Sequence, residues 1–336
     1  MNETEQGVLK PGKLIRLLVH ILWLSTFCLT HNVSAQTATE NTSADIPATQ
    51  KHHAYIIYSP DNTLHSSIVK QLSRKLHLSQ PGIIISEITP QQKAARVNPA
   101  TDLIISIGRA GMQSASEHYP KTKKLFIATD PNRYQLKTNE GDAALYMTQS
   151  YCRQMKLIRL LNAHWKTISI LSSEKKPIDS KPIQQCAGKY NFEIYKIKTT
   201  AEENQTNKIR QALRNSDVLL ALPDHNIYNS RSVKNILLTS YRYRRPVIAF
   251  SKNFVNAGAL ASIHSNTEQI AQSASNIINQ YFEAGAHFKK PVNYPDDFNI
   301  NINKQVFRAL DIPLPEIETL TKSLQSAEKN NAGDAP

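Results

Sequence analysis

Short, wholly apolar runs alternate with stretches of helical period along most of the chain. Ala54–Ser59 ("AYIIYS") is apolar throughout and reads as a strand; the segment after it places Leu64, Ile68, Leu72 and Leu76 on one helical face. "GIIISEI" from Gly82 and "DLIISIG" (Asp102–Gly108) read as further strands, with "QQKAARVN" between them as a short helix, and "KLFIATD" ending at Asp130 as a fourth strand. The grammar then repeats. "SYCRQMKLIRLLNAH" reads as a helix burying Met155, Ile158 and Leu161, followed by "TISILSS", "KPIQQCAGKY", "FEIYKIK", "ENQTNKIRQALRNS", "DVLLALPD", "SRSVKNILLTSYR" and "PVIAFS" in strand–helix alternation.

Fully apolar strands separated by helices belong to parallel sheets covered on both faces. Two such sets predict an α/β fold of two doubly wound parallel-sheet lobes joined by a three-crossover hinge. The boundaries expected are 53–145 for lobe one with 257–286 returning to it, and 146–252 for lobe two with 292–325 returning. In this reading the irregular "NFVNAGAL" carries the chain back to lobe one, "LASI" is a returning strand, and "NTEQIAQSASNIINQYFEAG" packs on lobe one. "FKKPVNYPDD" crosses once more, placing "FNININ" and "KQVFRALDIP" on lobe two, with 326–336 as a flexible tail. Three crossings make a hinge, and a hinge over a cleft suits ligand-gated closure.

The N-terminus changes where this fold is expected to work. Lys10, Lys13 and Arg16 precede an apolar stretch from Leu17 to Leu29 and a Val33-Ser34-Ala35 end, the pattern of a secretory signal peptide cleaved near Ala35; 36–52 is polar and aperiodic, a disordered lead-in. The expected location is the periplasm. The formal charge is +13, but export removes nucleic acid as a partner, and the densest cluster, "YRYRRP" at Tyr241–Pro246, suits a helix C-terminus. Cys152 and Cys186 could bridge in an oxidising compartment; their spacing leaves this open.

"DLIISIGRAGMQSASEHYPKTKKLFIATDPN", "RPVIAFSKNFVNAGALAS" and "NININKQVFRALDIPLP" resemble the substrate-binding proteins of bacterial ABC importers, in particular the type I periplasmic-binding fold that includes tryptophan and aromatic amino acid binders. The resemblance spans about 52–325. It implies a clamshell without catalysis that closes over a small polar ligand, an amino acid or similar zwitterion, and delivers it to an inner-membrane ABC permease. A monomer without cofactor is the expectation, although the sequence does not fix the oligomeric state. The family's glycine-rich phrase after the first crossover is missing: "TNEGDAALYMTQS" has only Gly141, and the chain has 10 glycines in all. That departure keeps a second reading alive, a sensor or accessory protein partnering a sensor kinase or an outer-membrane receptor.

Ligands of open parallel sheets bind outside the carboxyl ends of the strands. The residues there are Tyr58, Ser59, Asp61, Gly108, Arg109, Ala110 and Asp130 in lobe one, and Ser172, Asp224, His225, Asn253 and Phe254 in lobe two. A helix beginning at Ala110 would offer backbone N–H groups to a carboxylate, with Arg109 as a clamp; the plain alternative is a turn with Arg109 in solvent. Asp224 matches the acidic cleft position of the family and suits a ligand ammonium, or equally a helix N-cap. Tyr58 and Phe254 suit stacking on an aromatic or apolar ligand body, or the edge of the core. His52 and His53 lack a third metal ligand. No nucleophile elbow, HExxH, CxxC or phosphate loop is present, so the chain is read as no enzyme.

Overall fold

The computed structural model describes residues 52–129, 140–175, 177–199 and 205–332. The expected signal peptide and almost all of the lead-in lie outside the described residues, and so does Asp130.

The first sheet is wholly parallel. Its strands are β1 (His53–Ile57), β2 (Ile84–Ile88), β3 (Leu103–Ile107), β4 (Lys124–Thr129), β5 (Ala143–Tyr146) and a late arrival, β11 (Val292–Asn293), in the order β11-β5-β4-β3-β1-β2. The second comprises β6 (Thr167–Ser173), β7 (Glu193–Thr199), β8 (Val218–Leu220), β9 (Val247–Ala249), β10 (Ala261–His264) and β12 (Asn299–Ile302), ordered β12-β10-β9-β8-β6-β7. Only β12 runs antiparallel to its neighbour. Helices cover both faces of each sheet, which is why β3 and β5 are buried at every position.

In lobe one, α1 (Thr63–Ser79) follows β1 and is capped by the Asn62 side chain. Its buried Ile68, Leu72 and Leu76 pack in one cluster with Ile270, Ala274, Ile278 and Tyr281 of α8 (Thr267–Glu283). Small Ala271 and Ala274 on that face favour a close approach. Lys75 Nζ donates to Gln272 Oε1 (2.8 Å) and Ser79 Oγ to Asn279 Oδ1 (3.1 Å). Helix α2 (Gly108–His118) follows β3. In lobe two, α3 (Tyr151–Leu161) and α4 (Ser180–Lys189) are joined by a disulfide between Cys152 and Cys186, settling the question their spacing left open. Helices α5 (Gln205–Arg214), α6 (Val233–Arg242), α7 (Lys252–Asn256), α9 (Lys304–Ala309) and α10 (Ile317–Ala332) complete the described residues.

The structure corrects the expected path in three places. The strand expected to return to lobe one, β10, stays in the second sheet: Ala261 pairs with Ile248 of β9 and Ile302 of β12. The irregular passage before it forms α7 and a turn at Gly258, whose φ of 122° only glycine adopts easily. The chain thus reverses within lobe two and buries Leu260, Ala261 and Ile263 in its core. The crossing comes later, between His264 and Thr267.

The helix expected at "QQKAARVN" does not form: Tyr119 Oη accepts from Ala94 N (2.7 Å) and Tyr55 Oη donates to Arg96 O (2.5 Å), tying that irregular backbone to the end of α2 and to β1. The tail expected from 326 is helical to Ala332. Gln325, Ala327, Glu328 and Lys329 have high helix propensity, so the helix runs on past the buried Leu324.

Candidate functional site

Three short connections set which edges of the sheets meet. Chain leaves β5 at Tyr146 and enters α3 at Tyr151; leaves β10 at His264 and enters α8 at Thr267; leaves β11 at Asn293 and enters β12 at Asn299. Each departs from the carboxyl edge of a sheet. At ~3.5 Å per residue none is long enough to travel round a lobe, so the two carboxyl edges face one another across the hinge.

The connections are laced by one polar network whose centre, Arg153 and Gln149, is buried. Arg153, on the first turn of α3, donates to Gln149 Oε1 and to Pro295 O (2.7 Å) and lies over the Phe298 ring at 4.7 Å. Gln149 Nε2 donates to Ser265 Oγ (2.9 Å), which donates to Asp297 O (2.6 Å). Gln149 belongs to the first crossing, Ser265 to the second, and Pro295 and Asp297 to the third.

On the rim of lobe one, α2 begins at Gly108, two residues earlier than its sequence suggests, and no side chain caps it. Glycine is required twice here. A Cβ on Gly108 (φ 75°) would stand 2.3 Å from the His65 ring, and one on Gly111 would stand 2.4 Å from Ile57 O. The helix therefore lies directly against the end of β1, presenting Arg109 and Ala110 exposed at the rim. Asp61 is also exposed, and neither it nor Arg109 has a side-chain partner among the described residues. Ser59 is half-buried beside them, whereas Tyr58 Oη is engaged, donating to Glu87 Oε2 (2.8 Å).

On the rim of lobe two, Ser172 and Asp224 are buried and His225 is exposed. Asp224 Oδ2 accepts from Ser173 N (2.9 Å), and Oδ1 from Asn226 N (3.0 Å) and Nδ2 (3.1 Å). Burial works to raise its pKa, but the hydrogen bonds from Ser173 and Asn226 outweigh it and hold the carboxyl below its ordinary value. This carboxylate ties the end of β6 to the loop after β8. Phe254 forms an aromatic cluster with Tyr228 (6.0 Å between centroids) and Phe250 (4.9 Å), and Tyr228 meets Phe250 at 6.1 Å. Tyr228 Oη is buried without a partner; burial and the Asp224 charge push its pKa up. Asn253 is exposed and, with Phe254, lines a groove on the flank of this lobe.

Sequence reasoning missed His65, Tyr228, Phe250 and His264. The i, i+4 spacing of Phe250 and Phe254 across the strand end was the available signal. His52, just before β1, and His53, its first residue, diverge: the first stacks on Phe282 and the second bonds Ser86 Oγ at 2.9 Å. The Nδ1 atoms of His65 and His264 are buried without partners. Burial lowers both pKa values, and Lys252 adds to the effect at His264. A lowered imidazole favours the neutral form in the folded state. The unfolded chain therefore takes up protons first as pH falls below the ordinary value of 6.5, and stability falls with it. Urea melts at pH 7 and pH 5 are expected to show that loss, and a His65→Gln/His264→Gln variant to show less of it.

A family model described as ABC transporter substrate binding protein matches residues 147–325. The chain belongs to that family. It is 26% identical over 239 residues to a tyrosine-binding protein of Clostridioides difficile (strain R20291), covering 67% of each chain. Among solved structures it resembles a ligand-free, open substrate binding protein with adhesive properties from Clostridium difficile (19% identity, TM-score 0.57, 80% of this chain and 97% of that one). It also resembles an ABC domain from Streptococcus pneumonia in complex with L-Trp (16% identity, TM-score 0.54, 81% and 98%). These likenesses establish the two-lobed α/β fold of periplasmic-type binding proteins. No helix among the described residues is long and apolar enough to cross a membrane.

Proposed function

We propose that this substrate-binding protein closes its two carboxyl rims over an aromatic amino acid and delivers it, outside the cytoplasm, to an ABC importer. The observation that carries the reading is the Tyr228–Phe250–Phe254 cluster at the carboxyl ends of β8 and β9. Phe250, the half-buried member of the cluster, is the ring on which a ligand ring would stack, a pair contributing about 0.5–1.5 kcal/mol beyond burial. Across the cleft, the uncapped start of α2 and Arg109 suit the ligand carboxylate, and Asp61 suits its ammonium. Asp224, saturated by its own loop, acts as the strut beneath the aromatic wall. The relatives support the ligand class, one being named for tyrosine and another holding L-Trp. The Cys152–Cys186 disulfide supports an oxidising compartment.

The test is a stability measurement with L-Tyr, L-Trp and L-Phe against aliphatic and acidic amino acids. A true ligand at 100 times its Kd stabilises by about 2.7 kcal/mol. Arg109→Ala, at an exposed position, is expected to weaken binding at least tenfold without changing the unliganded melt. Absence of stabilisation by every aromatic amino acid would sink the reading and favour the sensor or accessory role.

A further inference from the structure

The flank of lobe two carries an apolar groove of about 640 Å³ that shares Phe254, and no other residue, with the proposed ligand site. Val233, Leu237, Leu238 and Tyr241 line it along α6, and Phe254, Gly258 and Val306 close its other side. Along α6 these positions fall at intervals of four, one and three residues, a stripe about 12 Å long at 1.5 Å per residue. This helix therefore has more than one apolar face. Ile236 and Leu237 are buried in the lobe, whereas Leu238 is 50% and Tyr241 56% exposed, although both are large and apolar.

The chain segment that supplies most of the groove carries charge of one sign. From His225 to Thr267 the sequence contains no acidic residue, yet it carries Arg231, Lys234, Arg242, Arg244, Arg245 and Lys252. Arg244 pairs with Asp311 (2.6 Å) and Arg245 with Asp217 (3.4 Å). Arg231, Lys234, Arg242 and Lys252 have no carboxylate partner among the described residues. Lys234 itself lines the groove. An apolar stripe of two to three helical turns, bordered by unpaired cations, is complementary to a helix with apolar residues at i, i+4 and i+7 flanked by carboxylates.

We infer that this groove docks an acidic amphipathic helix of a partner protein. Apart from Phe254, the groove is built by residues outside the proposed ligand site, so the docking reading is tested independently of the ligand reading. Leu238, Tyr241 and Lys234 decide it, none of which belongs to the ligand site.

The experiment uses the full chain and two labelled 18-residue helical peptides with leucines at the same i, i+4, i+7 and i+11 positions, one flanked by Glu and the other by Lys. Fluorescence anisotropy is expected to show the Glu peptide binding at least tenfold more tightly, and weakening as salt rises. Leu238→Glu is expected to reduce that affinity at least tenfold with an unchanged thermal midpoint, because the side chain is half-exposed. Lys234→Glu is expected to weaken the Glu peptide and strengthen the Lys peptide, a reversal that mere loss of packing does not produce. Equal affinity for the two peptides, or binding of neither, overturns the proposal. So does a concentration-dependent dimer, seen by sedimentation, that Leu238→Glu abolishes, since the occupant would then be a second copy of this chain.

Discussion

Lys124→Met is expected to cost about 3–5 kcal/mol of folding stability, the effect of removing one partner from a buried ion pair. Lys124 opens β4 and its side chain is wholly buried; Nζ lies 3.5 Å from Asp142 Oδ2 and donates to Tyr119 O (3.1 Å) and Thr122 O (2.6 Å). Asp142 Oδ1 accepts in turn from the Lys124 backbone N (3.0 Å). Burial lowers the lysine pKa while Asp142 works against the shift, so the ammonium is held in place by its partners alone. Without it, the Asp142 carboxylate loses this ion pair in a low-dielectric site and two carbonyls lose their donor. Removing both charges with Lys124→Met/Asp142→Leu is expected to recover a large part of the loss. Urea denaturation distinguishes the cases: the midpoint falls far in the single variant and less in the double. A single-variant loss below about 1 kcal/mol would show that the pair contributes little.

Opening the Cys152–Cys186 disulfide is expected to cost about 3–4 kcal/mol. The bridge closes a loop with a sequence separation of 34 and joins α3 to α4. For a loop of that length, the lost chain entropy of the unfolded state corresponds to nearly 4 kcal/mol at 25 °C. Cys186 also belongs to the core of lobe two beside Ile183 and Ala187, so Cys152→Ala/Cys186→Ala removes some packing as well. Denaturation of the native chain with and without reductant isolates the bridge from the packing. Identical melts in the two conditions would contradict the expectation.

The local grammar of the fold was legible because parallel strands buried on both faces read as apolar runs, as at Leu103–Ile107, and because α1 repeats its buried residues at helical spacing. Partner choice was not. Nothing in "LASI" says that Ala261 will pair with Ile302 rather than with a strand of lobe one, since an apolar run fits either sheet and the pairing is fixed by residues far along the chain. The site was legible to the same degree. Strand ends placed Asp61, Arg109 and Phe254 on the rims, but the use of Asp224 by Ser173 and Asn226 arises only when β6 and β8 lie side by side. His65 was invisible because its role depends on the space that Gly108 leaves for its ring.

The guanidinium of Arg153 touches the first and third crossings directly and the second through Gln149 and Ser265. Arg153 and Gln149 are buried, and a buried polar group left without its partner costs about 1–3 kcal/mol. Any rotation about these crossings would have to break or exchange the bonds Arg153 and Gln149 make, so the pivot itself resists settings that leave them unmade.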